Sequence, residues 1–190
     1  MPLALSLAVV AAAMAPCHAD APLAQSPSAL VFERGTDLVG CVRDGRPRLL
    51  AEGECALTFC DWGEPRVAGR LVAFGAQISW KCVTTADVRV LDLRTGRVRR
   101  TVPAGSFGGV SETDGCSSYG GEVTDLVLRG TGGVAFIAVD GPGRTEVVRA
   151  DRFGFRVVAR GAEIDPRSLT RSGSVIRWLD GGQPRTSRLR

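Results

Sequence analysis

The chain has 190 residues, a formal net charge of +4 at pH 7 and a hydrophobic fraction of 44%, values typical of a single folded domain. Of its 24 basic residues only Lys81 is a lysine, and the arginines are dispersed, with one local cluster at residues 97–100. A nucleic-acid-binding surface is expected to show a localised basic stripe with stacking aromatic side chains, so this composition argues against nucleic acid as a partner.

The chain begins with an apolar run over residues 3–15 that contains no charged residue. The run is followed by Pro16 and by Cys17-His18-Ala19, a small-x-small pattern of the kind that signal peptidase cleaves. This arrangement predicts a secretory signal peptide over residues 1–19, cleaved after Ala19. The alternative is a lipoprotein leader processed at Cys17, although Met14-Ala15-Pro16 is a poor match to a lipobox.

Removal of this leader places the mature chain in an oxidising compartment, either secreted or periplasmic. It also removes His18, the only histidine, and so excludes Ser-His-Asp catalysis, Cys-His catalysis and zinc sites built on histidine. The apolar run is too short for a membrane-spanning helix of about 20 residues, so no membrane span is expected in the mature chain. Residues 20–28, with Pro22 and Pro27, are predicted to form a flexible lead-in.

The clearest strand pattern lies within residues 70–102. Short apolar runs at residues 71–74 and 78–82, separated by Gly75-Ala76, predict two strands joined by a turn. In the third strand Val88 and Val90 are expected on one face, with Leu91 and Leu93 on the other, because side chains alternate along a strand.

A hairpin is predicted to close this unit. Arg94-Thr95-Gly96 is typical of a short loop, in which Gly96 takes the left-handed backbone conformation that such a loop requires. Residues 98–102 then form the returning strand, which Pro103 ends.

Four segments of the chain show a similar pattern when they are aligned on four positions: Gly40, Trp80, Phe136 and Trp178. The intervals between these anchors are 40, 56 and 42 residues. Repeats of about 40 residues, each with three or four strands, match the size of a propeller blade.

The sequence therefore predicts an all-β fold over residues 29–190, a β-propeller-like array of about four short blades. An open partial propeller and a β-sandwich are the alternatives. The recurring aromatic side chains are expected to pack between blades.

The stretch VRVLDLRTGRVRRTV, a strand, a glycine turn and a return strand, resembles the repeats of TolB-like and related secreted β-propeller proteins. The resemblance covers roughly residues 29–190 and implies blades that bind other proteins or ligands. It assigns no functional residue, because no functional motif matches.

The longest interval between anchors contains a Gly- and Ser-rich insertion at residues 104–121. Long loops on a rigid β scaffold often carry recognition, but the favoured interpretation of this segment is a mobile surface insertion with no partner. A calcium loop is not favoured, because the acidic residues lack the alternating spacing of such loops. Trp62, in a connection between strands, is the aromatic side chain expected to be partly exposed. The predicted ligand- or partner-binding residues are Trp62, Phe107, Glu112, Asp114 and Tyr119.

Five cysteines remain after cleavage at Ala19: Cys41, Cys55, Cys60, Cys82 and Cys116. Cys82 with Cys116 is the preferred disulfide, since it would tie the insertion to the main unit. Cys55 with Cys60 is the second, which leaves Cys41 buried and free; Cys41 with Cys60 is the alternative. No C-x-x-C spacing occurs, so neither a metal site nor a redox site is expected.

Among enzyme mechanisms, only catalysis by carboxylates is still compatible with this composition. The candidate catalytic carboxylates, which are scattered along the sequence, are Asp61, Glu64, Asp114 and Glu122. The favoured function is an exported, non-catalytic binding module that requires no cofactor and binds an extracellular or envelope protein or carbohydrate. One alternative is an extracellular hydrolase that cleaves a glycan between two carboxylates. The other is a purely structural envelope protein.

Overall fold

A computed structural model describes residue 17 and residues 21–55, 58–110, 117–140 and 143–190. Across these residues the chain forms nineteen strands and no helix, which confirms the all-β prediction. The strands form several small sheets in which neighbouring strands are antiparallel, except for one parallel pair. None of the described segments forms a helix that could cross a membrane.

The first two sheets use the N-terminal half of the chain. Sheet A contains β1 (Ala24–Ser26), β2 (Ala29–Arg34), β3 (Asp37–Val42) and β4 (Arg48–Ala51). Sheet B contains β5 (Glu54–Cys55), β6 (Thr58–Trp62), β7 (Arg66–Ala68), β8 (Leu71–Trp80), β9 (Val83–Asp92), β10 (Arg97–Pro103), β11 (Gly108–Val110) and β12 (Ser117–Tyr119). The long hairpin of β8 and β9 is the centre of sheet B, and β12 pairs in parallel with the start of β9.

The other two sheets follow in chain order. Sheet C contains β13 (Glu122–Leu128), β14 (Val134–Val139), β15 (Thr145–Asp151) and β16 (Gly154–Arg160). Sheet D contains β17 (Thr170–Ser172), β18 (Val175–Asp180) and β19 (Gln183–Arg188). Each of these sheets is a simple antiparallel meander in which consecutive strands are neighbours.

The sheets are stacked face to face in the order A, B, C, D, because three apolar cores join successive pairs. The core between A and B includes Val31 and Phe74, and the core between B and C includes Val90 and Phe136. The core between C and D contains Ile137, Ile176, Trp178 and residues packed around them. No core formed by described residues joins sheet D to sheet A, so the stack has two ends.

Alternation along the strands explains why the inner sheets pack on both faces. In β14, Val134, Phe136 and Ala138 pack toward sheet B, whereas Ala135 and Ile137 pack toward sheet D. A strand buried on both faces has an uninterrupted apolar sequence, and VAFIAV fits this rule. The same alternation is confirmed in β9, where Val88 and Val90 pack toward sheet C and Leu91 packs toward sheet A.

The predicted turn at Gly75-Ala76 is wrong, because β8 runs without a break from Leu71 to Trp80. Gly75 is needed there for a different reason. A Cβ atom at Gly75 would lie 2.9 Å from the Cβ of Val123 in β13, closer than side-chain carbons approach in packed proteins. The glycine therefore permits close packing of two sheets. By contrast, the left-handed Gly96 is confirmed, with a φ of 72°, in the hairpin between β9 and β10.

The alignment of the repeats on Gly40 and Trp80 is also wrong. Gly40 lies in β3, the third strand of its sheet, and Trp80 is 51% exposed at the end of β8. The positions that correspond in the structure lie in the second strand of sheets A, C and D and in β8 of sheet B, on the face opposite the next sheet in the stack. They are Phe32, Phe74, Phe136 and Trp178, spaced by 42, 62 and 42 residues.

A disulfide covers the outer face of sheet A. Phe32, Val39 and Cys41 form an apolar cluster on this face, and Cys17 packs against it while bonded to Cys41, with the two Cα atoms 6.0 Å apart. The predictions of a free Cys41 and of a Cys41–Cys60 bond are therefore wrong. Cleavage after Ala19 would separate Cys17 from the chain, so the two features exclude each other. β1 also lies within the predicted lead-in and pairs with β2.

The remaining cysteine predictions fall largely outside the described residues. Cys82, in the hairpin loop between β8 and β9, is disulfide-bonded. Cys116, its predicted partner, lies outside the described residues, as do the side chains of Cys55 and Cys60. Residues 1–16 and 18–20 are also outside them, so the leader stays a prediction.

Candidate functional site

An open cleft lies between sheets B and C, at the end of the interface where β13 begins. It has a volume of 360 Å³, and we call it the acidic cleft because Asp61 and Glu122 line it. Trp62 and Gln77 provide the other large side chains of its wall. Asp61 and Trp62 end β6, Gln77 lies in β8, and Glu122 opens β13.

Glycines form much of the floor of the acidic cleft and allow its two walls to approach. A Cβ atom at Gly121 would lie 2.5 Å from the carbonyl oxygen of Val139, a distance that only glycine permits. Gly63 donates its backbone N–H to the carbonyl of Gly75 at 2.9 Å. The Gly63–Gly75 bond ties the end of β6 to β8, so Asp61 is carried on sheet B, whereas Glu122 is carried on sheet C.

The two carboxylates of the acidic cleft face solvent. Asp61 accepts the backbone N–H of Trp62 at 2.7 Å, and both Asp61 and Glu122 are exposed. Neither forms an ion pair with a cation of the described residues. Trp62 is half-buried, because part of its ring packs against the core between sheets A and B.

The neighbouring acids are occupied by structural contacts. The Arg66 guanidinium donates a hydrogen bond to Glu64 and lies 2.6 Å from it, which holds the pKa of that carboxyl below its ordinary value. Asp125 accepts the backbone N–H groups of Leu169 and Leu126, each at 2.9 Å, and burial raises its pKa. Glu64 and Asp125 are therefore structural, and only Asp61 and Glu122 are available to a ligand.

A second cleft, with a volume of 310 Å³, opens on the other side of β8 and shares Asp61, Ala76 and Gln77 with the acidic cleft. Its wall includes Ile78 and Arg89, and the guanidinium of Arg89 is paired with Asp87 at 3.0 Å. Asp61 is thus accessible from both sides of sheet B.

The structure separates the predicted binding residues. Trp62 lines the acidic cleft, but Tyr119 is 52% exposed on β12, away from it. The cross-strand pairing of β8, β9 and β12 places Tyr119 on the same face as the exposed side chains of Trp80 and Val83. Phe107 is half-buried against the core between B and C, under the guanidinium of Arg144. Glu112 and Asp114 lie outside the described residues.

Both described ends of the insertion are fixed in place. Ser106 donates its backbone N–H and its hydroxyl to the buried carboxylate of Glu146, at 2.7 and 2.5 Å. Burial alone would raise the pKa of Glu146, but these bonds and one from Arg160 outweigh it and lower the pKa. Further along, β11 and β12 form a hairpin that extends sheet B. Residues 108–110 and 117–119 therefore form part of sheet B, and the mobility of the insertion stays a prediction.

Sequence reasoning named Asp61 and Glu122 as acids but had no means of pairing them. They lie 61 residues apart and come together only because sheets B and C pack face to face. Gln77 was missed, since an amide within an apolar strand gives no signal of its own. No cluster of three or more potential metal ligands occurs in the described part of the chain.

No protein-family model matches the chain, and no curated protein matches its sequence.

Proposed function

We propose that the protein is an exported, non-catalytic binding module that binds an uncharged oligosaccharide in the acidic cleft. The observation that supports this most directly is the composition of the cleft: two exposed carboxylates and an amide around 360 Å³, with Trp62 in its wall. Carboxylates accept hydrogen bonds strongly from hydroxyl groups, and the apolar face of a sugar ring stacks on an aromatic ring. The negative charge of the cleft disfavours acidic sugars.

The scaffold in this proposal is an open, propeller-like stack, with β1, β7, β13 and the segment ahead of sheet D near a common axis. The contact between β1 and the β7 region supports this, since the Ser26 hydroxyl donates to the Gly69 carbonyl at 2.9 Å. On the other side β7 contacts β13, and the Thr124 hydroxyl of β13 donates to the carbonyl of Pro166, ahead of sheet D, at 2.7 Å. A rigid scaffold with a groove between two sheets is a common position for a ligand.

The test is a screen of the intact protein on an oligosaccharide array, followed by calorimetric titration of the best-bound sugar. A variant with Asp61→Asn and Glu122→Gln should bind about tenfold or more weakly, because a hydrogen bond to a charged group contributes roughly 1.5 to 3 kcal/mol. Trp62→Ala should also weaken binding. Glu33→Gln, an exposed acid of sheet A, is the matched control and should leave affinity unchanged. Undiminished binding by the double variant would refute the acidic cleft as the site.

Glycan hydrolysis is the second candidate function, because Asp61 and Glu122 share one cleft. Two carboxylates on opposite sides of a sugar are the requirement of that chemistry. The two functions are separated by incubating the bound oligosaccharide with the protein and measuring new reducing ends. Release that is abolished by Glu122→Gln would establish the hydrolase, and binding without release supports the binding module. A protein that binds no sugar on the array would favour the structural envelope role.

A further inference from the structure

Arginine side chains line a pair of adjoining clefts at the opposite end of the interface between sheets B and C. One cleft has a volume of 350 Å³ and the other 370 Å³, and they share Arg100 and Thr131. We call the pair the arginine cleft. Its arginines are Arg70, Arg99, Arg100, Arg129, Arg152 and Arg190.

These arginines are distant in sequence and are gathered by the fold. Arg70 precedes β8, Arg100 lies in β10, and Arg129 follows β13. Arg152 lies in the hairpin between β15 and β16, and Arg190 follows β19. The loops at this end of three sheets therefore converge. The dispersed positive charge of the sequence becomes a local basic surface that the sequence pattern does not reveal.

Two of the six arginines share one buried carboxylate, which compensates a single positive charge. Asp92 is fully buried and lies 3.1 Å from the guanidinium of Arg70 and 2.9 Å from that of Arg99. The other four, Arg100, Arg129, Arg152 and Arg190, form no ion pair within 4 Å of a carboxylate among the described residues. The buried Asp151 lies close enough to Arg100 to interact with it electrostatically and compensates one further charge. The arginine cleft thus carries an excess of positive charge.

Several of these arginines are held in position without an acidic partner. The guanidinium of Arg129 donates to the backbone carbonyl of Leu189 at 2.6 Å. Arg152 and Arg190 lie over the ring of Phe153, at 4.7 and 5.7 Å from its centroid. Such contacts fix a guanidinium while leaving it charged. Ordering the side chains in advance lowers the entropy that a ligand must overcome on binding.

The loop between β13 and β14 leaves room for a ligand. Its residues 129–133 have the sequence Arg-Gly-Thr-Gly-Gly, and a Cβ atom at Gly130 would meet no atom within 4 Å. Thr131 is exposed and contributes a hydroxyl group to both parts of the cleft. A small, open loop beside guanidinium groups is typical of sites that admit an oxyanion.

We propose that the arginine cleft binds a ligand that carries phosphate groups. Guanidinium groups pair with phosphate oxygens through two parallel hydrogen bonds. A single carboxylate would leave most of the four unpaired arginines uncompensated, whereas phosphate groups carry up to about two negative charges each. The ligand is a soluble phosphate ester or the headgroup of an anionic lipid, which share this chemistry. The proposal does not depend on sugar binding in the acidic cleft.

The first experiment is calorimetric titration of the intact protein with tripolyphosphate at about 50 mM salt, where charge interactions are weakly screened. A variant with Arg100→Gln and Arg152→Gln should bind about tenfold or more weakly, because two charged hydrogen-bonding groups are lost. Arg46→Gln, an exposed arginine of the β3–β4 connection, removes a charge elsewhere and should leave affinity unchanged. Far-ultraviolet circular dichroism checks that each variant is folded.

The outcomes that overturn the proposal are distinct from a failure of sugar binding. No binding of tripolyphosphate by the wild type, or equal weakening by Arg46→Gln, would overturn the site. Equal affinity for citrate would overturn the preference for phosphate, and tighter binding of a single-stranded DNA oligonucleotide would favour nucleic acid instead. The variant with Asp61→Asn and Glu122→Gln should bind tripolyphosphate as the wild type does, which separates the two clefts.

A second measurement distinguishes the two sources of phosphate. Vesicles of phosphatidylcholine with and without phosphatidylglycerol are sedimented with the protein. Retention on the anionic vesicles that is lost in the double arginine variant would assign the cleft to a lipid headgroup. Binding of tripolyphosphate without retention would assign it to a soluble phosphate ester.

Discussion

At the scale of single residues, buried carboxylates determine how the fold responds to acid. Asp92 and Asp151 occupy matching positions as the last residues of β9 in sheet B and of β15 in sheet C. Burial alone would raise the pKa of Asp92, but hydrogen bonds from Arg99 and Arg94 outweigh it and lower the pKa. For Asp151, burial is similarly outweighed by the backbone N–H groups of Arg190 and Phe153, and the pKa is lowered.

These lowered pKa values predict that the protein loses stability in acid. A carboxyl whose pKa is lower when folded contributes stability above its ordinary value, and this is lost as pH falls through the folded pKa. The ordinary values are 3.8 for Asp92 and Asp151 and 4.5 for Glu146. The free energy of unfolding should therefore fall progressively as pH drops below about 4.5. Asp125, with its raised pKa, acts in the opposite direction over this range.

Chemical denaturation between pH 7 and pH 3 measures this dependence. Asp92→Asn should destabilise the protein at pH 7 by roughly 1 to 3 kcal/mol, because two arginines lose their buried partner, and the difference from wild type should shrink in acid. Asp87→Asn, which removes a half-exposed ion pair, should change stability by less than about 1 kcal/mol. A wild type whose stability is unchanged down to pH 3 would contradict this account.

At the scale of strands and sheets, the alternation of side chains predicted correctly which face of a strand a residue occupies. It did not predict whether that residue is buried by a neighbouring sheet. The opposite faces of β9 and the left-handed Gly96 were predictable because they depend on local geometry. The exposure of Trp80 was not predictable, because burial at the end of β8 depends on how far sheet A extends over that end. Sheet A does not cover that end, so Trp80 is exposed, with the Lys81 ammonium 5.0 Å from its ring.

Gly75 offers a direct test of how sheets B and C pack. Gly75→Ala should destabilise the protein by about 1 to 3 kcal/mol, because the added methyl group would overlap Val123. Gly109→Ala is the matched control, since a Cβ atom there would meet nothing within 4 Å. The double variant Gly75→Ala with Val123→Ala should recover part of the loss. Thermal unfolding measures all of these, and an unaffected Gly75→Ala variant would show that the sheets are not in close contact.

At the scale of the whole molecule, the candidate sites were beyond prediction because they are formed between sheets. Trp62 was predicted as an exposed aromatic side chain, and it does line the acidic cleft. Its neighbour Glu122 belongs to another sheet, and no sequence spacing relates the two. The arginine cleft has the same origin, since its side chains come from five separate segments. Predicting these sites would have required the order in which the sheets pack on one another. The alignment of segments on Gly40 and Trp80 did not give that order.

The Cys17–Cys41 bond makes a prediction about the N-terminus of the folded protein. Mass spectrometry of the protein purified from its native source should find a chain that begins at or before Cys17, with a peptide that links Cys17 to Cys41. Cys17→Ser should lower the free energy of unfolding by about 3 kcal/mol, as expected for a bridge that closes a loop of this size. Cys17→Ser with Cys41→Ser should behave similarly, because the same bond is lost. A mature chain that begins at Asp20 would contradict this pairing.

An open stack must protect its two ends from other copies of itself. At one end, the residues of sheet D that face away from sheet C include the exposed Val175 and Arg177, and most of β19 is exposed and polar. At the other end, Phe32 and Val39 are apolar, and Cys17 is held over them by its bond. Reduction of the Cys17–Cys41 bond would release Cys17 from this apolar face, so a thiol-rich environment should favour self-association. The oxidation state of its surroundings would thereby set its degree of assembly.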